Sequence, residues 1–319
     1  MPRTAIIHAS ATTGFADATS YDTHRPSYPP EAVEKLLAHV GLAGDGHAGA
    51  RIIDLAAGTG KLTELLAARP EGYEVLAVEP HDGMRGTLEA KKLRGVTSQS
   101  GTATDIAGVE DGWADVVVAA QRVCELTPCE AFHCSHHRFA NQEALKEIRR
   151  VLKPGGKLAM IWNIEDCRSF FSPHQPPHLS LVISPRARFS PDNKPRAWKA
   201  ATAWEQQLHE LIIDAATDGQ PRFRDDVWWK VFDEQDKEKP LFTTPIGEDK
   251  DVEWNIWLSK GALWDRVHTL SHVSMLRGEA REKFRAEFDR ILEDGDGRWN
   301  DEQEVLVHGI SPIAWTTRL

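Results

Sequence analysis

The chain of 319 residues is 41% hydrophobic and 27% charged, proportions that are usual for a globular protein in water. Its formal net charge of −10 would on average repel a phosphate polyanion, so nucleic acid is not an expected partner. Four cysteines are too few for a disulfide framework, the N-terminal residues hold no signal-peptide-like apolar stretch, and no apolar run reaches the length of about 18 residues that spans a membrane. We therefore expect a cytoplasmic protein that does not enter a membrane.

Strand and helix patterns alternate through the first half of the chain. Residues 1–20 are small and polar and are expected to be flexible. Helices are predicted after Pro29-Pro30, around Leu62, at 82–93 and at 141–156, where Pro154-Gly155-Gly156 ends the last one. Apolar runs predict strands at 51–56, 74–80, within 96–106, at 114–121 and at 157–163. This alternation predicts an α/β fold with a doubly wound, mostly parallel sheet that is buried on both faces.

The pattern changes after Asn163. Eight of the 11 tryptophans lie between residues 198 and 299, which gives this half aromatic walls that the first half lacks. Helices are predicted within 197–217, 222–235, 260–276 and 279–294, a strand at 252–259, and one or two strands at 304–319. The last of these strands could return to pair at the edge of the sheet.

The stretch RIIDLAAGTGKLTELLAARP, residues 51–70, joins a strand to a helix through a glycine turn. The dinucleotide fingerprint needs a third glycine, which is missing after Gly58 and Gly60. A P-loop needs Ser or Thr after Gly-Lys, but Leu62 stands there. Asp54 would repel a pyrophosphate and suits an ammonium group, while Glu79 at the end of the second strand can accept both ribose hydroxyls. An adenosine that carries a zwitterionic amino acid, as in S-adenosylmethionine, fits these residues.

The motifs DLAAGTG, EP at 79–80, GTATDI and RVLKPGGKLAMIW together resemble the class I S-adenosylmethionine-dependent methyltransferases. The opening YDTHRPSYP is similar to the branch of trans-aconitate methyltransferase and its fungal small-molecule relatives. The resemblance covers residues 20–163 well and 195–319 more loosely. It implies a single domain at 21–319, with a seven-stranded Rossmann-like sheet whose cofactor-binding core is 21–163 and a helical cap at 193–319. Ala56 replaces the first glycine of the family loop, which is a modest departure if its φ stays negative.

The resemblance also implies which residues hold the cofactor. Asp105 would cap the adenine amine, and Arg25 would bind a carboxylate on the methionine or on the substrate. The predicted cofactor residues are Tyr21, Arg25, Asp54, Ala56, Gly58, Gly60, Glu79, Pro80, Thr104, Asp105, Ile106 and Gln121.

The acceptor site is predicted from the segment after the fourth strand and from the cap. His133 is the candidate catalytic base or substrate-orienting group, and its alternative is a structural, half-buried histidine. The acceptor pocket is predicted to be lined by Tyr28, His133, Trp162, Trp254, Trp257 and Arg266, although the tryptophans could equally be core of the cap.

The favoured acceptor is a small-molecule carboxylate, because it is already ionised at neutral pH and needs no base. Methylation of a hydroxyl or nitrogen of a secondary metabolite, and a catalytically impaired S-adenosylmethionine-binding protein, are the alternatives. The sequence does not predict an oligomeric state.

Residues 122–137 concentrate cysteine and histidine. The spacing Cys-x4-Cys-x4-Cys fits no common zinc site, so no metal is predicted. Residues 122–130 and 167–192 interrupt the resemblance and are interpreted as insertions, either translated introns of a gene product or surface lid loops.

Overall fold

A computed structural model of the protein describes residues 18–122, 142–165, 200–215 and 229–319. The predictions for residues 1–17, for most of both insertions and for the Cys/His cluster with His133 concern residues outside these ranges. The described helices are α1 (Ala18–His24), α2 (Pro30–Val40), α3 (Lys61–Ala67), α4 (Asp82–Ala90), α5 (Gln142–Val151), α6 (Ala203–Asp214), α7 (Lys230–Asp233), α8 (Lys260–His268), α9 (Ser271–Ser274) and α10 (Gly278–Asp294). The described strands are β1 (Arg51–Leu55), β2 (Glu74–Val78), β3 (Val96–Gln99), β4 (Ala114–Arg122), β5 (Leu152–Glu165), β6 (Gly247–Asp249), β7 (Glu253–Ser259), β8 (Glu304–Ile310) and β9 (Ile313–Thr317).

The strands form one sheet in which β3, β2, β1, β4 and β5 are parallel neighbours. Strand β9 returns antiparallel to β5, and β6 pairs antiparallel with β9, which completes a seven-stranded path. The far end of β5 pairs with β8 at Ile164 and Glu165, and β8 pairs with β7. The predicted mostly parallel, doubly wound α/β sheet is confirmed.

Two apolar layers cover the sheet because successive side chains of a strand face opposite sides. Ile52, Val116 and Ile161 pack in one layer with α2 and α3. Ile53, Val117 and Met160 pack in the other layer with α5. Trp204 of α6 and Phe288 of α10 belong to a third cluster, which joins these cap helices to β8.

Element boundaries differ from the predictions where backbone constraints outweigh the apolar pattern. The helix predicted at 141–156 ends at Val151, and β5 begins before the glycines. Pro154 has no N–H for a helical hydrogen bond and Gly155 has a φ of 75°, so the helix cannot continue through them. The helix predicted at 260–276 is split into α8 and α9. Residues 304–319 form two strands, β8 and β9, and the three-residue β6 was not predicted.

Within the described residues, every helix is too short or too polar to cross a lipid bilayer.

Candidate functional site

The glycine turn between β1 and α3 contains three residues in the left-handed region. The φ angles are 58° at Ala56, 59° at Gly58 and 88° at Gly60. The negative φ that would make Ala56 a modest departure from the family loop is therefore not observed. A left-handed conformation costs a residue with a Cβ about 1–2 kcal/mol, so the turn geometry is imposed on Ala56 by its surroundings.

Gly60 allows the turn to approach α4 closely. A Cβ at this position would lie 2.9 Å from the side chain of Leu88, closer than real contacts allow. The backbone of the turn therefore lies against α4 at a point where only glycine fits.

Two buried acids lie beside the turn. Asp54 is inside β1 and fully buried, with one oxygen accepting the Thr63 hydroxyl at 2.6 Å and with no hydrogen-bond partner for Oδ1 in the part of the chain that the structure describes. Glu79 accepts the backbone N–H groups of Gly58 and His81, both at 2.8 Å. Burial raises the pKa of Asp54 to about 6 and the pKa of Glu79 to about 7. Both acids would gain from a ligand that brings ammonium or hydroxyl donors.

The loop after β3 is fixed by α5. Ile106 is buried, its N–H donates to Glu147 at 2.8 Å and its carbonyl accepts from Arg150 at 3.2 Å. Thr104 and Asp105 are exposed on the same loop, so the Asp105 carboxylate is open to a ligand. Pro80 is half-buried after β2, and the backbone of Gln121 pairs with that of Trp162.

Helix α1 packs on the glycine turn. Asp22 accepts the Thr59 hydroxyl at 2.6 Å and forms an ion pair with Lys91 at 2.9 Å. Tyr21 packs with Met84 of α4, which places the α1 motif residues over the site.

Four residues where α1, β5 and the cap meet are called the arginine cluster (Arg25, Glu165, Trp254 and Arg266). Glu165 and Trp254 contact the Arg266 side chain, and Arg25 is linked to Arg266 through Thr269. Arg266 is 3% exposed, and its Nε donates to Glu165 at 2.7 Å. Arg25 is 8% exposed, lies 5.2 Å from the centre of the Tyr21 ring and donates to the Thr269 carbonyl at 2.9 Å. Its Nε finds no hydrogen-bond acceptor among the described residues.

The predicted acceptor residues do not form one wall. Trp254 lies under the Arg266 guanidinium at 5.6 Å, whereas Trp257 is three residues along β7, faces the other side of the strand and lies near Arg298. The structure therefore does not bring Trp254 and Trp257 together. Tyr28 and Trp162 are buried in the α2 layer and the α5 layer respectively.

Residues 53–160 match the family model described as methyltransferase domain. An uncharacterized methyltransferase of Schizosaccharomyces pombe is 40% identical over 47% of this chain, and the chain spans about half, 52%, of that relative's length. An uncharacterized methyltransferase of Mycobacterium tuberculosis is 30% identical over 264 residues, which cover 83% of this chain and 79% of that protein. The chain belongs to the class I S-adenosylmethionine-dependent methyltransferases.

Solved structures are similar to this methyltransferase over most of its length. The YcgJ protein of Bacillus subtilis has a TM-score of 0.42 at 14% identity, covering 89% of this chain and 97% of that one. Phosphoethanolamine N-methyltransferase 2 of Haemonchus contortus, solved in complex with S-adenosyl-L-methionine, has a TM-score of 0.42 at 13% identity, covering 97% of this chain and 57% of that one.

S-adenosylmethionine, the cofactor of this methyltransferase, fits the described site. The orphaned Asp54 Oδ1 is a buried acceptor that a ligand ammonium group would satisfy.

Two residues that join the site together were missed by the sequence analysis. Asp22 lies inside the YDTHRPSYP motif, and membership of this motif is the only feature of the sequence that points to a role for it. Asn163 donates to the Ser27 carbonyl at 3.1 Å and accepts from Ser311 at 2.7 Å, which ties that motif to the end of β5. Among the described residues, no group of three or more potential metal ligands comes together.

Proposed function

We propose that this methyltransferase transfers the methyl group to a carboxylate oxygen of a small organic acid. The observation that carries the proposal is the charge of the arginine cluster. Arg266 pairs with the Glu165 carboxylate, whereas Arg25 donates to the Thr269 carbonyl and contacts no carboxylate among the described residues. A buried guanidinium that hydrogen-bonds only a carbonyl is poorly compensated, and an acceptor carboxylate would supply the missing charge.

Arg25 is assigned to the acceptor rather than to the methionine carboxylate because its contact lies in the cap. Its hydrogen-bond partner Thr269 follows α8, and the Thr269 hydroxyl in turn donates to the Arg266 carbonyl at 2.6 Å. The two arginines are thus held by one turn of the cap. Asp54, Glu79 and Asp105 remain assigned to the ammonium, ribose and adenine groups of the cofactor.

The chemistry needs no general base. S-adenosylmethionine supplies an electrophilic methyl group on a sulfonium. Arg25 and Arg266 would hold the acceptor carboxylate so that one of its oxygens faces the methyl carbon, which favours the in-line displacement. The new bond is oxygen to carbon, the carbon–sulfur bond breaks with its electron pair on sulfur, and the products are a methyl ester and S-adenosylhomocysteine. No proton is transferred, because the acid is ionised near pH 7.

The test is a panel of di- and tricarboxylic acids, each paired with its amide, together with phenols and primary amines. Formation of S-adenosylhomocysteine and of methylated product is measured by mass spectrometry. We expect turnover with at least one acid and none with its amide. Turnover of phenols or amines alone, or of nothing in the panel, would overturn the proposal.

Replacement Arg25→Lys tests the assignment of Arg25. Lysine keeps the charge but loses the planar fork, so we expect the KM for the acid to rise by about tenfold or more while S-adenosylhomocysteine binds as before. Arg298→Lys, at the Trp257 side of β7, is the matched control and should leave KM unchanged. Weakened S-adenosylhomocysteine binding by Arg25→Lys would instead assign Arg25 to the methionine carboxylate.

A further inference from the structure

Helix α1 connects the cofactor turn to the cap. Asp22 of this helix contacts Thr59 of the glycine turn and Lys91 directly after α4, and Arg25, the residue after α1, contacts the Thr269 carbonyl after α8. Neither contact is made by the apolar core of the sheet. The position of α1 therefore depends on these polar interactions and the His24–Asp265 ion pair, together with the packing of Ala18 and Tyr21 against Met84.

The Asp22 carboxylate is the centre of the contacts at the turn. The same oxygen, Oδ1, accepts the Thr59 hydroxyl at 2.6 Å, lies 2.9 Å from the ammonium of Lys91 and lies 3.6 Å from that of Lys61. Lys91 also pairs with Glu64 at 2.8 Å. Less than a quarter of the Asp22 and Lys91 side chains is exposed, so these charges are only partly screened by water.

Thr59 is the residue through which this cluster acts on the turn. It is 1% exposed and stands between Gly58 and Gly60, both of which have positive φ. On the other side of Thr59, the Gly58 N–H donates to Glu79. The turn is thus fixed by two hydrogen bonds, one from Thr59 to Asp22 and one from Gly58 to Glu79. These bonds matter because a segment with two glycines loses much conformational entropy when it becomes ordered.

We propose that Asp22 is a positioning residue for the cofactor: through Thr59 and Lys91 it fixes the glycine turn and holds α1 over it, and so sets the affinity for S-adenosylmethionine. Asp22 does not contact the reacting atoms. Because Asp22 already orders the turn and α1 in the ligand-free protein, less conformational entropy is lost when the cofactor binds. The inference rests on cofactor binding and is independent of the acceptor.

The test is calorimetric titration with S-adenosylhomocysteine, without any acceptor, on the wild type and on Asp22→Ala, Asp22→Asn and Thr59→Val. We expect Asp22→Ala and Thr59→Val each to weaken binding by about tenfold, consistent with loss of a charge-assisted hydrogen bond. The double variant should bind no more weakly than the weaker single variant, since both changes remove the same interaction. Thr59→Ser should restore binding.

Salt dependence separates positioning from a general loss of structure. Wild-type affinity should fall between about 50 and 500 mM NaCl, because screening weakens the ion pairs of Asp22. Asp22→Asn keeps an oxygen acceptor for Thr59 but no charge, so its affinity should be nearly independent of salt. Asp82→Asn removes the exposed partner of Arg85 at the start of α4 and is the matched control, with wild-type affinity expected.

Wild-type affinity of Asp22→Ala, or purely additive losses in the double variant, would overturn the proposal. A melting temperature of Asp22→Ala far below that of Asp82→Asn would assign Asp22 a structural role instead and would also overturn it. Neither result bears on the carboxylate acceptor, which this experiment does not include.

Discussion

Ala56 shows how strongly the site dictates backbone geometry at single residues. It holds a positive φ of 58° in a turn whose other two left-handed residues are glycines. The residue on its C-terminal side, Ala57, has no positive φ, so two adjacent alanines of the same turn differ in strain.

Replacement Ala56→Gly should therefore stabilise the protein. Glycine relieves the left-handed strain, which stabilises the folded state by about 1–2 kcal/mol. It also makes the unfolded chain more flexible, which lowers stability by about 0.4–1 kcal/mol. We expect a gain of roughly 0.5–1 kcal/mol in the free energy of unfolding, measured by urea denaturation. Ala57→Gly is the control and should be destabilising. Equal losses from both variants would contradict the strain at Ala56.

Glu79 makes the stability of the ligand-free protein depend on pH. Burial and the nearby Asp54 charge raise its pKa from 4.5 to about 7, so between these values the folded state binds more protons than the unfolded state. The stability contributed by Glu79 is thus fully present below about pH 4.5 and is lost as the pH rises towards 7. In Glu79→Gln this titration is absent. We expect the wild type to lose about 2–3 kcal/mol relative to Glu79→Gln across this window, measured by urea unfolding without ligand. A constant difference between the two proteins would refute the raised pKa.

At the scale of elements, α6 is fixed to β8 by a buried polar cluster. Thr202 caps α6, its hydroxyl donates to Glu205 at 2.7 Å, and Glu205 accepts the backbone N–H of His308 at 2.8 Å. The Nδ1 atom of His308 lies 3.1 Å from both Glu205 oxygens. One carboxylate therefore joins the helix start to the strand.

Removing that carboxylate should cost more than removing the cap. We expect Thr202→Ala to lower the free energy of unfolding by about 1 kcal/mol, as for other N-caps. Glu205→Ala should lower it by about 2–4 kcal/mol, because the His308 N–H is then buried without a partner. Gln206→Ala, on the exposed side of α6, is the control and should change stability by less than about 0.5 kcal/mol. The idea fails if Glu205→Ala is as mild as Gln206→Ala.

The elements that could be predicted from sequence are those with long apolar periods. The parallel strands and α2 have such periods, and the motif acids Asp54 and Glu79 lie together beside the glycine turn. β6 could not be predicted, because three residues carry no period and the strand exists only through pairing with β9. Asp22 could not be predicted either, since its partner Lys91 is 69 residues away in the sequence.

Strand geometry bears on the pocket predicted around Trp254 and Trp257. Residues three apart on a strand point to opposite faces. Their positions on β7 already placed them on different sides. The arginine cluster could not be predicted from the sequence, because its residues come from elements that are far apart in the chain, near α1, in β5 and in α8.

At the scale of the whole molecule, the central sheet and the cap share one continuous segment. Strand β8 pairs with β7 of the cap, and after Ser311 and Pro312 the chain continues as β9 inside the central sheet. Neither part completes its strand pairing without the other.

We therefore expect core and cap to unfold in one cooperative transition. Most tryptophans lie in the cap, so their fluorescence reports on it, whereas far-UV circular dichroism reports on both parts. The two signals should give coincident urea midpoints. An earlier fluorescence transition would show that the cap unfolds independently.

The position of β9 also has a consequence for biosynthesis. This strand lies between β5 and β6, yet it leaves the ribosome after both of them. Until residues 313–317 emerge, β5 presents an unpaired apolar edge, which is a template for association with other chains. Premature termination in this region should therefore yield aggregates rather than a partly active enzyme, and we expect the nascent protein to depend on chaperones until β9 has paired with β5.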